Sequence, residues 1–494
     1  MHLGLDLGTS GVKAVLTGPV GEVLAQATAP LALSAPRPLW SEQNPEDWWR
    51  ATREVLATLR RSQDLSCVRA LGLAGQMHGA VLLDASDQVL RPAILWNDGR
   101  SHAECAALEQ AEPGSRAITG NLAMPGFTAP KLLWVRRHEP ETFARVRRVL
   151  LPKDWLRLRL TGEAASEMSD ASGTLWLDVA ARRWSGAMLD ATGLSEAQMP
   201  RLVEGTEPAG RLLPGAAALL GLPAGIPVAG GAGDNAAGAV GIGCVSPGDA
   251  FVSLGTSGVV FVSDPGFLPD PSRAVHAFCH CLPQAWHRMS VILSAAASLG
   301  WITRVTGAGS EAALLAEVEQ AGLARAGRLL FLPYLSGERT PHNDPRAAGV
   351  FFGLSGADER ADLARAVLEG VAFALADGLE ALEARGPRVE ALTAIGGGAR
   401  SAAWLRILAA VTARPILSVA GGEAGPALGA ARLARIACGD GAIAEVCTRP
   451  PAAACFEPEA DLAAALAPRR AAYRRLYPLL QTLFAETVQP EPTA

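Results

Sequence analysis

The sequence predicts a duplicated α/β fold, two domains around a central cleft, and three observations carry the prediction. The string Leu-Gly-Thr-Ser-Gly stands at Leu7 to Gly11 and again at Leu254 to Gly258, half of the 494-residue length further on. A period that long marks a duplicated module, and either half is large enough to bury a core of its own. Each copy is also flanked alike: a strand-like run leads in, His2 to Asp6 or Asp249 to Ser253, and a β-rich run leads out, Val12 to Thr17 or Val259 to Val262. The third observation is Gly230 to Gly238, a segment of small residues broken by Asp234 and Asn235. Small residues let a helix start against a second backbone, so the cleft closes near Asp234 and the domains divide as 1–245 and 246–494.

The elements follow in order. After the first hairpin, Gly18-Pro19-Val20-Gly21 turns the chain into a third strand near Glu22 to Ala29. Asn44 is a cap, Pro45 fits the first helical position, and Glu46 and Asp47 favour the positive end of a helix running to about Arg61. Val68 to Ala74 is a buried strand ended by Gly75-Gln76-Met77-His78-Gly79. Strand, strand, strand, helix, strand is the order of one half of an actin-like, ribonuclease-H-like ATPase fold. The second half repeats it loosely, with hairpin strands near 249–262 and 274–292, a helix from about Asp362 to Leu382, a strand Ala391 to Ile395 and a helix Ser401 to Thr412. Gly396-Gly397-Gly398 between the last two is a tight loop before a helix N-terminus, a seat for an anion or nucleotide. Gly421 to Pro426 is read as a loop before an alanine-rich helix starting near Ala427.

Composition narrows the function. With 49% hydrophobic and 19% charged residues and a net charge of −5, the chain is globular and has no electrostatic case for nucleic acid or a membrane surface. It enters a strand at once and has no apolar run of about 18 residues, which points to a cytoplasmic protein. The arginine clusters Arg145 to Arg148 and Arg469 to Arg475 are read as solvated helix faces. His276, Cys279, His280 and Cys281 are read as strand packing, because alternation sets His280 opposite Cys279 and Cys281.

Two glycine-hydroxyl tips suit phosphate oxygens, since glycine lets backbone N–H groups approach and the Thr and Ser hydroxyls add donors. The first tip is preceded by Asp6 and the second by Ser253, so a metal belongs beside the first. Lysine occurs only at Lys13, Lys131 and Lys153 among 44 basic residues, which suggests a need for a compact ammonium at those sites. Lys13 leaves the first tip within reach of a phosphate. Asp234, in a glycine-rich turn that opens a helix, fits a capping carboxylate and a proton acceptor equally well. His78 taken alone reads as a core histidine, and Trp96, one of 11 tryptophans, as core packing.

The motifs resemble those of the FGGY carbohydrate kinases. Asp6 to Ser10 is similar to that family's first phosphate motif. Gly126-Phe127-Thr128-Ala129-Pro130-Lys131-Leu132-Leu133-Trp134 resembles one family signature, and Gly349 to Glu369, with Gly353-Leu354, the other. Gln76-Met77-His78-Gly79 followed by Leu95-Trp96-Asn97-Asp98-Gly99-Arg100 resembles the branch acting on D-xylulose; glycerol kinases carry Arg-Glu where Met77 and His78 stand. The likeness runs from the first residue to about 440, and the last fifty residues add little to it. Ala232 departs from it, standing where relatives often have a third glycine.

The resemblance implies an ATP-dependent enzyme that phosphorylates the 5-hydroxyl of D-xylulose by domain closure. It makes Asp234 the general base and Asp6 the Mg²⁺ anchor, with Met77, His78, Asp234 and Asn235 on the sugar. Gly8, Thr9, Ser10, Lys13 and Thr256 then hold the β- and γ-phosphates, with Gly397 and Gly398 near the nucleoside. It assigns the sugar and the base to the first domain, the nucleotide to the second, and suggests a homodimer. The rival readings are another FGGY kinase, acting on ribulose, gluconate, fuculose or a polyol, and, more remotely, an actin- or chaperone-like ATPase.

Overall fold

The computed structural model describes residues 1–325, 327–419 and 425–487. Its frame is two seven-stranded sheets built on one plan. In the first, His2–Leu7 lies antiparallel to Gly11–Thr17, which lies antiparallel to Val23–Pro30, while its other edge runs parallel to Ala70–Gly75 and that strand parallel to Pro227–Ala229. In the second, Ala250–Leu254, Gly258–Asp264, Trp286–Ile292, Leu392–Ile395 and Ile416–Val419 repeat these five positions with the same pairing senses. The central strands are covered on both faces, which is why Leu3, Leu5, Leu7, Leu71 and Leu73 are wholly buried and the runs read as continuously apolar.

The helix Pro45–Leu59 begins as its sequence dictates: the Asn44 side chain accepts from the Glu46 N–H, and Pro45 occupies the first turn. Arg360–Glu383 and Ala402–Thr412 cover the second sheet, the latter capped by Ser401, which accepts from the Trp404 N–H at 3.3 Å. Gly396 to Gly398 is a tight turn, as read; Gly421 to Glu423 and Ala424 lie outside the described residues, and the helix after them is Gly425–Ala437.

The halves exchange helices, and glycines make this possible. Gly425–Ala437 belongs to the second half by sequence but lies on the first sheet. A Cβ on Gly4 would fall 1.9 Å from the Ala427 carbonyl oxygen, and one on Gly72 1.9 Å from that of Ala430. Its counterpart Asp234–Gly241 crosses it at Gly429, where a Cβ would meet the Ala237 oxygen at 1.8 Å, and through Ala239 joins a core cluster with Phe251 and Phe261 of the second sheet. These separations are far inside van der Waals contact, so only glycine allows the backbones to approach so closely.

The C-terminal arginines depart from their reading as a solvated face. Arg469 is buried and donates to Glu369 and to the Leu329 carbonyl at 2.8 Å, while Arg470 and Arg474 pair with Asp377 and Glu380. The reason is the partner element: the last helix, Ala460–Thr487, packs along Arg360–Glu383 and buries Leu462, Leu466, Tyr473 and Phe484 in the second core. The helix Ala460–Thr487 therefore completes that core. Among the described residues no helix is long and apolar enough to cross a membrane.

Candidate active site

The strand ends of the first sheet bring two carboxylates together. Ala232–Gly233 pairs with Ala74 and Gly75, the strand that also pairs with Asp6 and Leu7, so Asp6 and Asp234 emerge at neighbouring strand ends. Asp234 begins the helix and is not its N-cap, which is Gly233. Its Oδ1 accepts from the Asn235 N–H at 2.7 Å and from Asn235 Nδ2 at 2.9 Å, while Oδ2 has no hydrogen bond among the described residues. Burial lifts its pKa to about 6, against the pull of those two hydrogen bonds. Asp6 is lifted to about 7 by burial and then by the charge of Asp234, with Lys13 opposing. Its Oδ1 is buried with no hydrogen-bond partner among the described residues.

Beside them opens a cavity of about 220 Å³ whose lining includes Met77, His78, Phe127, Asp234 and Asn235 from the first half. Ser253, Gly255 and Ser257 of the second tip, with His276, Phe278 and Arg339, line it from the second half. It thus joins the sequence-predicted sugar residues to the second tip. Trp96, read as core packing, lines it too and donates through Nε1 to Thr9 Oγ1 at 2.9 Å. A larger cavity of about 430 Å³, around Tyr334, Tyr473 and Tyr477, shares none of these residues.

His78 is held in one orientation and one charge state. Its backbone is left-handed, φ 68°, an uncommon conformation for a side chain of this size and one found where a site fixes it. Nδ1 lies 2.7 Å from the Gly173 carbonyl, which can only accept, so Nδ1 carries the proton and Nε2 is left as an acceptor. Burial, above all, lowers its pKa to about 3, and Phe127 packs edge-on at 4.8 Å. A Cβ on Gly173 would strike Nδ1 at 2.5 Å, which explains the glycine there.

Two of the three lysines support this arrangement from behind. Lys131 Nζ donates to the carbonyls of His78 and Gly126 at 2.8 and 2.7 Å, and burial lowers its pKa to about 7. Lys153 lies in a fully buried cluster, 2.8 Å from Asp154 and 2.9 Å from Asp170, with Arg157 on Asp154 at 2.6 Å. Glu167 completes the cluster and accepts from the Gly233 N–H at 3.1 Å, while Arg157 donates to the Gly230 carbonyl. The segment leading into Asp234 is therefore anchored at both ends to buried charge. Lys153→Met keeps the length of the side chain but strands these carboxyl groups together, so stability should fall by about 3–5 kcal/mol. Glu167→Gln retains an acceptor for Gly233 and should cost much less; thermal melts of the two variants check the order.

Around the first tip, Gly8 N–H bonds the Gly11 carbonyl at 3.0 Å, and Lys13 pairs with Asp6 across the hairpin. The Thr9 hydroxyl donates its proton to Gln76 Oε1 at 2.9 Å, which leaves its backbone N–H as the donor at the tip. Ser10 and Thr256 are exposed at their tips. The triple-glycine turn abuts the second tip: a Cβ on Gly396 would lie 2.8 Å from the Leu254 carbonyl, and Gly398 packs on Leu254 and Trp404. Thr256, Gly397 and Gly398 thus share one neighbourhood, while Gly8, Ser10 and Lys13 stand with Asp6 on the other half. Reading along the chain missed Phe127, Phe278, Arg339 and Glu167, which reach the site only through the packing of separate elements. The segment read as strand packing is buried, with His276 on Asn121 at 3.1 Å and Cys279 Sγ on the Val179 carbonyl at 3.4 Å.

Duplicated halves, crossed helices and a cleft with a phosphate-type tip, a buried carboxylate pair and a polar cavity define a two-domain kinase of the actin-like class. The chain belongs to the FGGY family of carbohydrate kinases: the model of the family's N-terminal domain matches residues 1–241 and that of its C-terminal domain residues 250–438. It is 56% identical to a xylulose kinase of Escherichia coli K12 across 98% of this chain and 100% of that one, and 54% identical to a xylulose kinase of Klebsiella pneumoniae over the same shares. Among solved structures, a "xyloylose kinase" from Brucella ovis matches with a TM-score of 0.93 at 52% identity, covering 98% of this chain and 99% of that chain. A xylulose kinase from Rhodospirillum rubrum matches with a TM-score of 0.89 at 31% identity over the same shares.

Proposed function

We propose that the chain transfers the γ-phosphate of ATP to the 5-hydroxyl of D-xylulose, giving D-xylulose 5-phosphate and ADP. The observation that carries this reading is the cavity, in which a carboxylate with a free oxygen, Asp234, faces a neutral His78 and an apolar Met77 beside the second phosphate tip. The full-length likeness to xylulose kinases supports the choice of sugar.

Phosphoryl transfer needs alignment and charge neutralisation more than covalent help. As the 5-oxygen bonds to the γ-phosphorus and the bond to the β-phosphate oxygen breaks, the hydroxyl proton passes to Asp234, late in the step because an alcohol is a weak acid. A base with pKa about 6 is ionised at neutral pH and able to take it. His78 Nε2 accepts from a sugar hydroxyl, and Asn235 supplies a further polar contact. The unpartnered, buried Asp6 carboxylate fits a divalent cation, and Mg²⁺ held there would neutralise charge on the β- and γ-phosphates. Gly8, Ser10, Lys13 and the Thr9 N–H face those phosphates from the first half, with Thr256, Gly397 and Gly398 on the nucleotide from the second. Residues 1–245 accordingly bear the base and most of the sugar site, and 246–494 most of the nucleotide site.

A panel of ketoses, polyols and gluconate, followed by ADP release, tests the reading. D-xylulose should give the highest kcat/KM, and hydrolysis without sugar should be slow, because an open cleft would otherwise pass phosphate to water. A higher kcat/KM for ribulose, gluconate or a polyol would assign the chain to another branch of the family.

A further inference from the structure

The cavity contains one cation that neither the sequence motifs nor the general-base chemistry uses. Arg339 lines it from the second half, and no hydrogen-bond partner for its guanidinium is found among the described residues. A guanidinium carries five donors and stays charged at any working pH, and this one, half-buried in the cavity wall, presents them to whatever fills the cavity. The buried arginines at 157 and 469, by contrast, bind carboxylates and carbonyls.

The mounting of Arg339 is rigid. Glu338 Oε1 accepts from the Arg339 N–H at 2.7 Å and from the Leu293 N–H at 3.2 Å. Thr340 N–H donates to the Val291 carbonyl at 3.0 Å, and its Oγ1 accepts from the Val291 N–H at 3.1 Å. The segment is thereby fixed to the strand Trp286–Ile292 of the second sheet, and its side chain reaches across to the first half, where Nη2 lies 4.0 Å from the position of a Cβ on Gly126.

Its electrostatic reach places it along the cavity. The Arg339 charge helps to lower the pKa values of His78 and His276. With Nη2 beside Gly126, Arg339 therefore stands at the histidine end of the cavity. On the reading that the 5-hydroxyl lies at Asp234, the opposite end of an extended ketopentose presents the C2 carbonyl oxygen and the C1 oxygen side by side. Two adjacent acceptors match the two parallel N–H groups of a guanidinium fork.

We propose that Arg339 is a specificity-determining residue that grips the C1–C2 end of the ketose from the second half, so that the sugar site is complete only when both halves close on it. The inference rests on the proposed reaction and identifies the group that ties sugar binding to closure.

The test is a cycle of two sugars and two proteins, D-xylulose and 1-deoxy-D-xylulose with wild type and Arg339→Met, read as kcat/KM with saturating ATP. Wild type should favour D-xylulose over the 1-deoxy sugar by at least about tenfold, the worth of one hydrogen bond to a charged donor. In Arg339→Met, kcat/KM for D-xylulose should drop about 100-fold, mostly through KM, the preference between the two sugars should shrink to near unity, and the KM for ATP should hold. Arg339→Lys keeps the charge without the fork and should fall between them, which preserves the test if the Met variant melts early. Equal losses for both sugars, or an unchanged preference, would overturn the inference. Absence of wild-type activity on D-xylulose would instead overturn the reaction on which it rests.

Discussion

Asp234→Asn should lower kcat about 10³-fold while leaving the fold and sugar binding in place. The substitution keeps the shape of the side chain and an oxygen able to accept from Asn235, so the start of the helix Asp234–Gly241 is undisturbed. What it removes is the carboxylate proposed to take the 5-hydroxyl proton, and general-base catalysis is worth about 10²–10⁴-fold. Coupled ADP release measures the loss, and tryptophan fluorescence on adding D-xylulose measures the retained binding; near-normal turnover would remove Asp234 from its role. The pH profile follows with a definite sign. Burial raises the Asp234 pKa to about 6, so the base is protonated below that value and ionised above it. At saturating ATP, kcat/KM for the sugar should climb about tenfold per pH unit up to about 6 and level off beyond. The residual rate of Asp234→Asn should lack this limb.

Gly429→Ala should be as damaging, although it adds one methyl group far from any reacting atom. That methyl would lie 1.8 Å from the Ala237 carbonyl oxygen, and both atoms involved belong to helix backbones that cannot rotate away. The crossing of Gly425–Ala437 over Asp234–Gly241 would have to open by more than about 1 Å, and Asp234 sits at the head of the second of these helices. We expect destabilisation above about 4 kcal/mol, or a folded protein with its halves held apart and little activity. Thermal melts and small-angle scattering distinguish the two. Gly238→Ala is the control: it lies on the other helix of the crossing, Asp234–Gly241, meets no atom within 4 Å, and should stabilise by about 0.5–1 kcal/mol. Equal behaviour of the two alanine variants would refute the argument from close approach.

Much of this was legible in the chain because the determinants are local. The Asn44 cap, the Pro45 start and the tips at Gly8 and Gly255 depend on neighbours a few residues away, and structure and sequence agree on them. The long helix read as Asp362 to Leu382 runs Arg360–Glu383 for the same reason. Met77, His78, Asp234 and Asn235, quoted from separate motifs, do meet at one cavity. What failed was the assignment of exposure. Arg469 to Arg475 carries enough charge to pass for a solvated face, and nothing in those residues announces that Glu369, Asp377 and Glu380 lie opposite. Nothing in the sequence separates Trp96 from the other tryptophans of the 11, because its place in the cavity depends on the indole N–H reaching Thr9.

The amino-acid sequence alone determined the duplication, the two glycine-hydroxyl tips and the asymmetry between Asp6 and Ser253, since these are written in short strings whose chemistry does not wait for folding. Only the tertiary structure decided which charges are buried, how the halves exchange their helices through Gly4, Gly72 and Gly429, and that Arg339 faces His78 across the cleft. Burial and long-range approach are properties of the packed whole: a residue's nearest atoms come from elements hundreds of residues away, and no local pattern encodes which element that will be.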